Sequence, residues 1–283
     1  MRLLLLLLTF GLCGCASSTS ETPAFFAMDT AARLAPAENA ALLAGLGYAG
    51  LGGRPSSARA HAEALRARGL RFYNAYHVAR FDARDSALPA DLTRAVDDLA
   101  GLDAVLWLAI QKVELGEASA SIPVEQAREA VVDATLRRLL DYAGPRKVRI
   151  SLYPHANFWG DRFETCLRAV ERINDPRLTV TFNLCHWLKV DGGQADPLPL
   201  IRRAMPRLEF VTINGADAGD TAKMGWDRLI RPLGRGSYDV KAFVSGVRAA
   251  GYRGPFGFQG YGIREESGEL LKETMAGWRE MVN

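Results

Sequence analysis

The chain has 283 residues, with 35 Lys and Arg against 32 Asp and Glu and a net charge of +3. That length suits one large hydrophobic core. No basic stripe with interleaved aromatics stands out, so nucleic acid is not an expected partner.

The first predicted element is a targeting segment. Met1-Arg2 supplies positive charge, and Leu3–Phe10 is an apolar run too short to span a bilayer. Leu12-Cys13-Gly14-Cys15 matches the bacterial lipoprotein cleavage pattern. This implies a signal over 1–14, cleavage before Cys15 and lipidation of Cys15, which anchors the protein to a membrane. An ordinary secretory signal is the alternative. Residues 15–23 read as a tether and 24–283 as one domain. The expected location is extracytoplasmic and lipid-anchored. Ala16 after the cysteine favours the outer membrane, facing the periplasm or cell surface. Of the remaining cysteines, Cys166 falls in a predicted helix and Cys185 at a strand end, so two buried thiols are expected rather than a disulfide.

Strand-like runs follow at Phe25–Met28, Tyr48–Leu51, Arg71–Tyr76, Ala104–Ile110, Val148–Tyr153, Leu178–Phe182, Leu208–Ile213 and Pro255–Phe258. Helices are predicted between them over Pro36–Leu46, Ser57–Arg68, Ala90–Ala100, Pro123–Ala143, Arg162–Asn174, Pro197–Ala204 and Val240–Ala250. A last helix follows from Ser267 to Met281. Gly69, Gly101, Gly144 and Gly251 fit helix C-caps. This alternation predicts an α/β fold, a single (β/α)8 barrel. A doubly wound open sheet is disfavoured, because no Gly-rich phosphate loop follows the first strand.

Such barrels build their sites at the carboxyl ends of the strands. The third strand offers Asn74, Tyr76 and His77, and the fourth Trp107 and Gln111. The fifth offers Tyr153 and His155, the sixth Asn183, His186 and Trp187. The seventh offers Asn214 and Asp217, and the eighth Gln259 and Tyr261. Asp29, after the first strand, either faces the rim or caps the following helix, and the cap is favoured. Asn183 and His186 stand three apart, a spacing that would make a metal-ligand pair if a carboxylate replaced the amide. Aromatic faces stack on pyranose C–H faces while amides and imidazoles bond hydroxyls, so the expected ligand is a small-molecule sugar or glycoside. In the connection between the last two strands, Arg235 either reaches an anionic ligand group or pairs with Asp239, and Trp226 is placed to cover the site.

Tyr-Pro-His (153–155), Phe-Asn-Leu-Cys-His-Trp (182–187), Ile-Asn-Gly-Ala-Asp (213–217), residues 229–240 and Gly-Pro-Phe-Gly-Phe-Gln-Gly-Tyr-Gly-Ile (254–263) together resemble the xylose-isomerase-like TIM-barrel superfamily, in its sugar phosphate isomerase/epimerase group. The resemblance implies a divalent metal held by acids and a histidine at the ends of strands five to eight. At those positions this chain carries Tyr153, Asn183, Asn214 and Gln259, and only His186 survives from the pattern. Loss of the acids removes the charge that holds a hard cation, so no cofactor is expected. The exception would be a divalent metal on a set rebuilt from His155, His186 and Asp217.

The implied chemistry is enolisation of a sugar or keto-sugar, leading to isomerisation, epimerisation or β-elimination. His77, His155 and His186 are candidates for the proton transfer. Tyr153, Asn183 or Asn214 would hold the enolate oxygen. The alternative is a catalytically retired carbohydrate-binding surface lipoprotein.

Overall fold

The sixth strand, β6 (Leu178–Asn183), sets the pattern for the barrel. Leu178, Val180 and Phe182 join the core under the helices, where Phe182 packs on Phe163 and Phe243. The alternating Thr179, Thr181 and Asn183 therefore face the barrel interior, and Thr181 Oγ1 meets Ser151 Oγ at 2.8 Å. Strand alternation thus delivers Asn183 inward at the carboxyl end.

The computed structural model describes residues 22–116 and 123–282. Its strands are β1 (Phe25–Met28), β2 (Gly50–Gly53), β3 (Arg71–Asp82), β4 (Val105–Glu114), β5 (Arg149–Leu152), β6, β7 (Leu208–Ile213) and β8 (Phe256–Phe258). They pair in parallel in chain order, and β8 closes on β1. The helices are α1 (Pro36–Leu46), α2 (Pro55–Arg66), α3 (Ala90–Leu99), α4 (Val124–Ala143), α5 (Phe163–Ile173), α6 (Leu184–Val190), α7 (Leu198–Ala204), α8 (Trp226–Leu229), α9 (Val240–Ala249) and α10 (Ser267–Val282). The expected single (β/α)8 barrel is what forms. The proposed signal, Cys15 and the tether up to residue 21 lie outside the described residues. Among the described residues no helix is long and apolar enough to cross a membrane.

Aromatic rings fill the interior. Phe26 stacks on Tyr73 at 4.8 Å, and Trp107 meets Phe210 edge-on at 5.3 Å. Glycine makes room for them: a Cβ at Gly257 would overlap the Phe26 ring, and one at Gly52 would fall 2.6 Å from Asn74 Oδ1.

Three departures from the predicted elements matter. β3 and β4 run on past the barrel as a two-stranded ribbon, paired as far as Asp82 and Glu114. Two short helices, α6 and α8, replace predicted loop. Gly144 does not take the left-handed C-cap conformation; its φ is −55° and it opens a 3-10 turn, leaving Lys147 at φ 57°. Cys166 and Cys185 are free and buried, as expected.

Candidate active site

A cavity of about 380 Å³ opens at the carboxyl-terminal end of the barrel. Its lining comes from β1 and the residues after it (Met28, Asp29, Thr30), from Arg54 after β2, and from Tyr76 on β3. It continues through Tyr153 to Asn157 after β5, omitting the buried Pro154, then His186, Trp226, Ile230, Gln259 and Tyr261.

Tyr153 sits at the focus. It is 2% exposed, and Trp107 stacks on it at 5.1 Å. Its hydroxyl oxygen accepts N–H from Asn183 Nδ2 and from Gln259 Nε2, the latter at 3.2 Å. Both amides are oriented by backbone donors that can only donate. The His186 N–H bonds Asn183 Oδ1 at 3.3 Å, and the Tyr261 N–H bonds Gln259 Oε1 at 3.1 Å. Each NH2 group is thereby turned to the phenol. Both lone pairs of the phenol oxygen are used, which leaves its O–H as the group free to donate. Burial, with Cys185 and Tyr76 nearby, pushes the phenol well above its usual range, so Tyr153 is a neutral donor.

The backbone N–H and carbonyl of Ala156 set two imidazoles in opposite tautomers. Its N–H donates to His186 Nδ1 at 3.3 Å, and its carbonyl accepts from His155 Nδ1 at 2.9 Å. Neutral His186 therefore carries its proton on Nε2 and presents a donor. Neutral His155 carries its proton on Nδ1 and leaves an Nε2 lone pair. The rings lie 4.3 Å apart, centroid to centroid. Burial lowers the pKa of both, and of His186 the more strongly, with His155 adding to the effect. The pair is thus neutral near pH 7, one imidazole a base and the other an acid.

The spacing of Asn183 and His186 has a local cause. Asn183 is the N-cap of α6 and His186 its third residue, so the interval is that of a side-chain cap to its backbone partner. The cap fixes the helix that points His186 into the cavity.

Of the predicted residues, Tyr76, His155, His186, Tyr153, Gln259, Tyr261 and Trp226 line the cavity together. Asn183 supports Tyr153 without lining it. The others are placed elsewhere. His77 and Gln111 lie within the long β3–β4 ribbon and not at strand ends. His77 Nε2 lies 3.5 Å from Asp91 on α3, without hydrogen-bond geometry, and Gln111 accepts from Arg80 at 2.7 Å. Asn74 is wholly buried against Gly52. Trp107 lies beneath Tyr153, and Trp187 packs outward on Phe182. Asn214 bonds the carbonyls of Gly215 and Leu229, bracing the β7–β8 connection. Asp217 is held by Arg228 at 2.9 Å and Arg231 at 2.7 Å. Arg235 pairs with Glu265 and Glu273, neither with Asp239 nor with the cavity; Asp239 caps α9.

Asp29 faces the cavity and does not cap α1, whose N-cap is Ala35. Thr30 and Arg54 were missed. The strand-end rule applied to the first two strands points to both, but Gly-Leu-Gly-Gly is a weak strand signal, and the predicted strand stops at Leu51 while β2 runs to Gly53.

These side chains do not suit the metal that the resemblance implies. Two amides turn N–H groups, not carboxylate oxygens, toward the centre, and Asn214 faces away. Asp217 is tied to two arginines, so the set of His155, His186 and Asp217 is not assembled. Among the described residues no group of three or more His, Cys, Asp or Glu is placed to hold an ion.

A family model described as xylose isomerase-like TIM barrel matches residues 41–281. A 3-dehydroshikimate dehydratase from Pseudomonas aeruginosa is 29% identical over 134 residues, 46% of this chain and 20% of that protein. The chain thus spans about a fifth of that curated relative's length. A xylose isomerase domain protein from Salmonella typhimurium LT2 superposes with TM-score 0.74 at 14% identity, covering 93% of this chain and 98% of that one. The 3-keto-D-glucoside 4-epimerase from E. coli gives 0.64 at 13%, covering 87% and 94%.

Proposed function

Because the chain belongs to the xylose isomerase-like TIM-barrel family, we propose that it enolises a keto-sugar or keto-glycoside using its own side chains. The observation that carries this reading is the Ala156 backbone, whose carbonyl and N–H arm His155 as a base and His186 as a donor in one cavity. His155 Nε2 removes the proton next to the substrate carbonyl. Tyr153 O–H and His186 Nε2–H stabilise the oxygen that gains charge. These donors are fixed before substrate arrives, and burial strengthens them.

The lining supports a sugar. Trp226 and the 64% exposed Tyr261 offer aromatic faces, and the cavity volume lies within the range of small-molecule sites. Arg54 is the one cation among the described lining residues, and it lies beside Asp29. That favours a keto-sugar or its glycoside over a sugar phosphate. The dehydratase and epimerase relatives both carry names consistent with proton transfer next to a carbonyl. The site at Cys15 is proposed to hold the protein at a membrane outside the cytoplasm.

The test uses full-length protein in detergent, methyl 3-keto-D-glucoside and deuterated water. Wild type is expected to speed exchange of the proton beside the carbonyl above the buffer rate. His155→Asn should reduce that exchange by about 100-fold or more. Absence of exchange by wild type overturns the proposal. Saturable binding without exchange would leave a carbohydrate-binding protein in its place.

A further inference from the structure

Asp29 is the one carboxylate among the described residues lining the cavity. It follows β1, while His155 follows β5. In a closed ring of eight strands those two stand diametrically opposite. A ligand in the cavity therefore has an imidazole at one wall and a carboxyl at the other. Arg54 Nε lies 3.5 Å from Asp29 Oδ2, and the Arg54 side chain is 77% exposed. This is a loose pairing in contact with solvent, and it leaves the carboxyl free to exchange a proton. The Asp29 N–H donates to the Gly52 carbonyl at 2.8 Å, which fixes the start of its loop.

We infer that Asp29 is a second acid–base group and that the protein inverts the carbon beside the carbonyl of its substrate. This rests on the enolisation reading above and names the reaction within it. His155 Nε2 takes the C–H proton from one face. The C–H electron pair becomes the enol double bond, and the carbonyl π pair moves to oxygen, held by Tyr153 and His186. The Asp29 carboxyl then gives its proton to the same carbon from the opposite face, and the carbonyl re-forms. His155 has gained one proton and Asp29 has lost one. Exchange with water at the cavity mouth restores both, and no oxidant or reductant is consumed.

Burial raises the Asp29 pKa and lowers that of His155.

The experiment compares wild type with Asp29→Asn on methyl 3-keto-D-glucoside in deuterated water, following exchange and epimer formation separately by NMR. The expected result is that exchange persists while epimer formation falls about 100-fold or more. Asp29→Glu is expected to recover part of the epimer formation. Equal loss of exchange and epimer, or loss of neither, overturns the role of Asp29. Wild-type exchange with no epimer formed also overturns the inference and spares the enolisation reading. No wild-type exchange overturns that reading itself.

Discussion

Ala156 shows how a residue with no functional side chain can decide chemistry. The backbone of one residue carries one N–H donor and one carbonyl acceptor, and those of Ala156 each meet an imidazole Nδ1. No sequence signal marks Ala156, because the information lies in its backbone. The histidines themselves were legible as types at strand ends. Their division into base and donor was not, since it depends on which edge of each ring meets the loop.

His186 also predicts a pH response. Burial holds its folded pKa well below the ordinary 6.5, so the folded state binds fewer protons than the unfolded chain beneath that pH. Its contribution is intact above about pH 6.5 and is lost as pH falls, with a slope approaching about 1.4 kcal/mol per pH unit. Urea titrations between pH 7 and 5 should show this decline, and His186→Asn should flatten it. An unchanged slope would mean that His186 is protonated in the fold.

At the scale of elements, α6 is the hinge between strand and site. β6 passes into it with no loop, and Asn183 serves both as the last inward strand residue and as the cap. Asn183→Ala removes the cap and one donor to Tyr153, and should cost about 1–2 kcal/mol in a denaturant melt. A cost near zero would show that the cap bond is not formed. The β3–β4 ribbon accounts for two misplaced site residues. Val78, Phe81 and Val113 continue the strand pattern beyond the residues needed to cross the barrel, so His77 and Gln111 fall in mid-strand. The acid-to-amide changes stand in the sequence as Asn183 and Gln259. Their positive role, turning NH2 groups onto a phenol oxygen, depends on backbone donors from α6 and from the residues after β8. Those contacts exist only in the folded chain.

For the whole molecule, eight alternations of strand and helix fixed the architecture, because a parallel sheet of that length with covered faces has few ways to close. The proposed lipidation of Cys15 belongs to this scale. Full-length protein is expected to enter the detergent-rich layer of a Triton X-114 separation, and Cys15→Ser the aqueous layer. Equal partitioning of the two would remove the anchor.

All eight strands run the same way, and the first begins at Phe25, so the described chain starts at the end of the barrel opposite the cavity. A molecule tethered from that end would stand with its opening turned outward from the lipid. Neighbours crowded on the same surface would leave every opening in water, and ligand would arrive by diffusion from the far side without passing the bilayer.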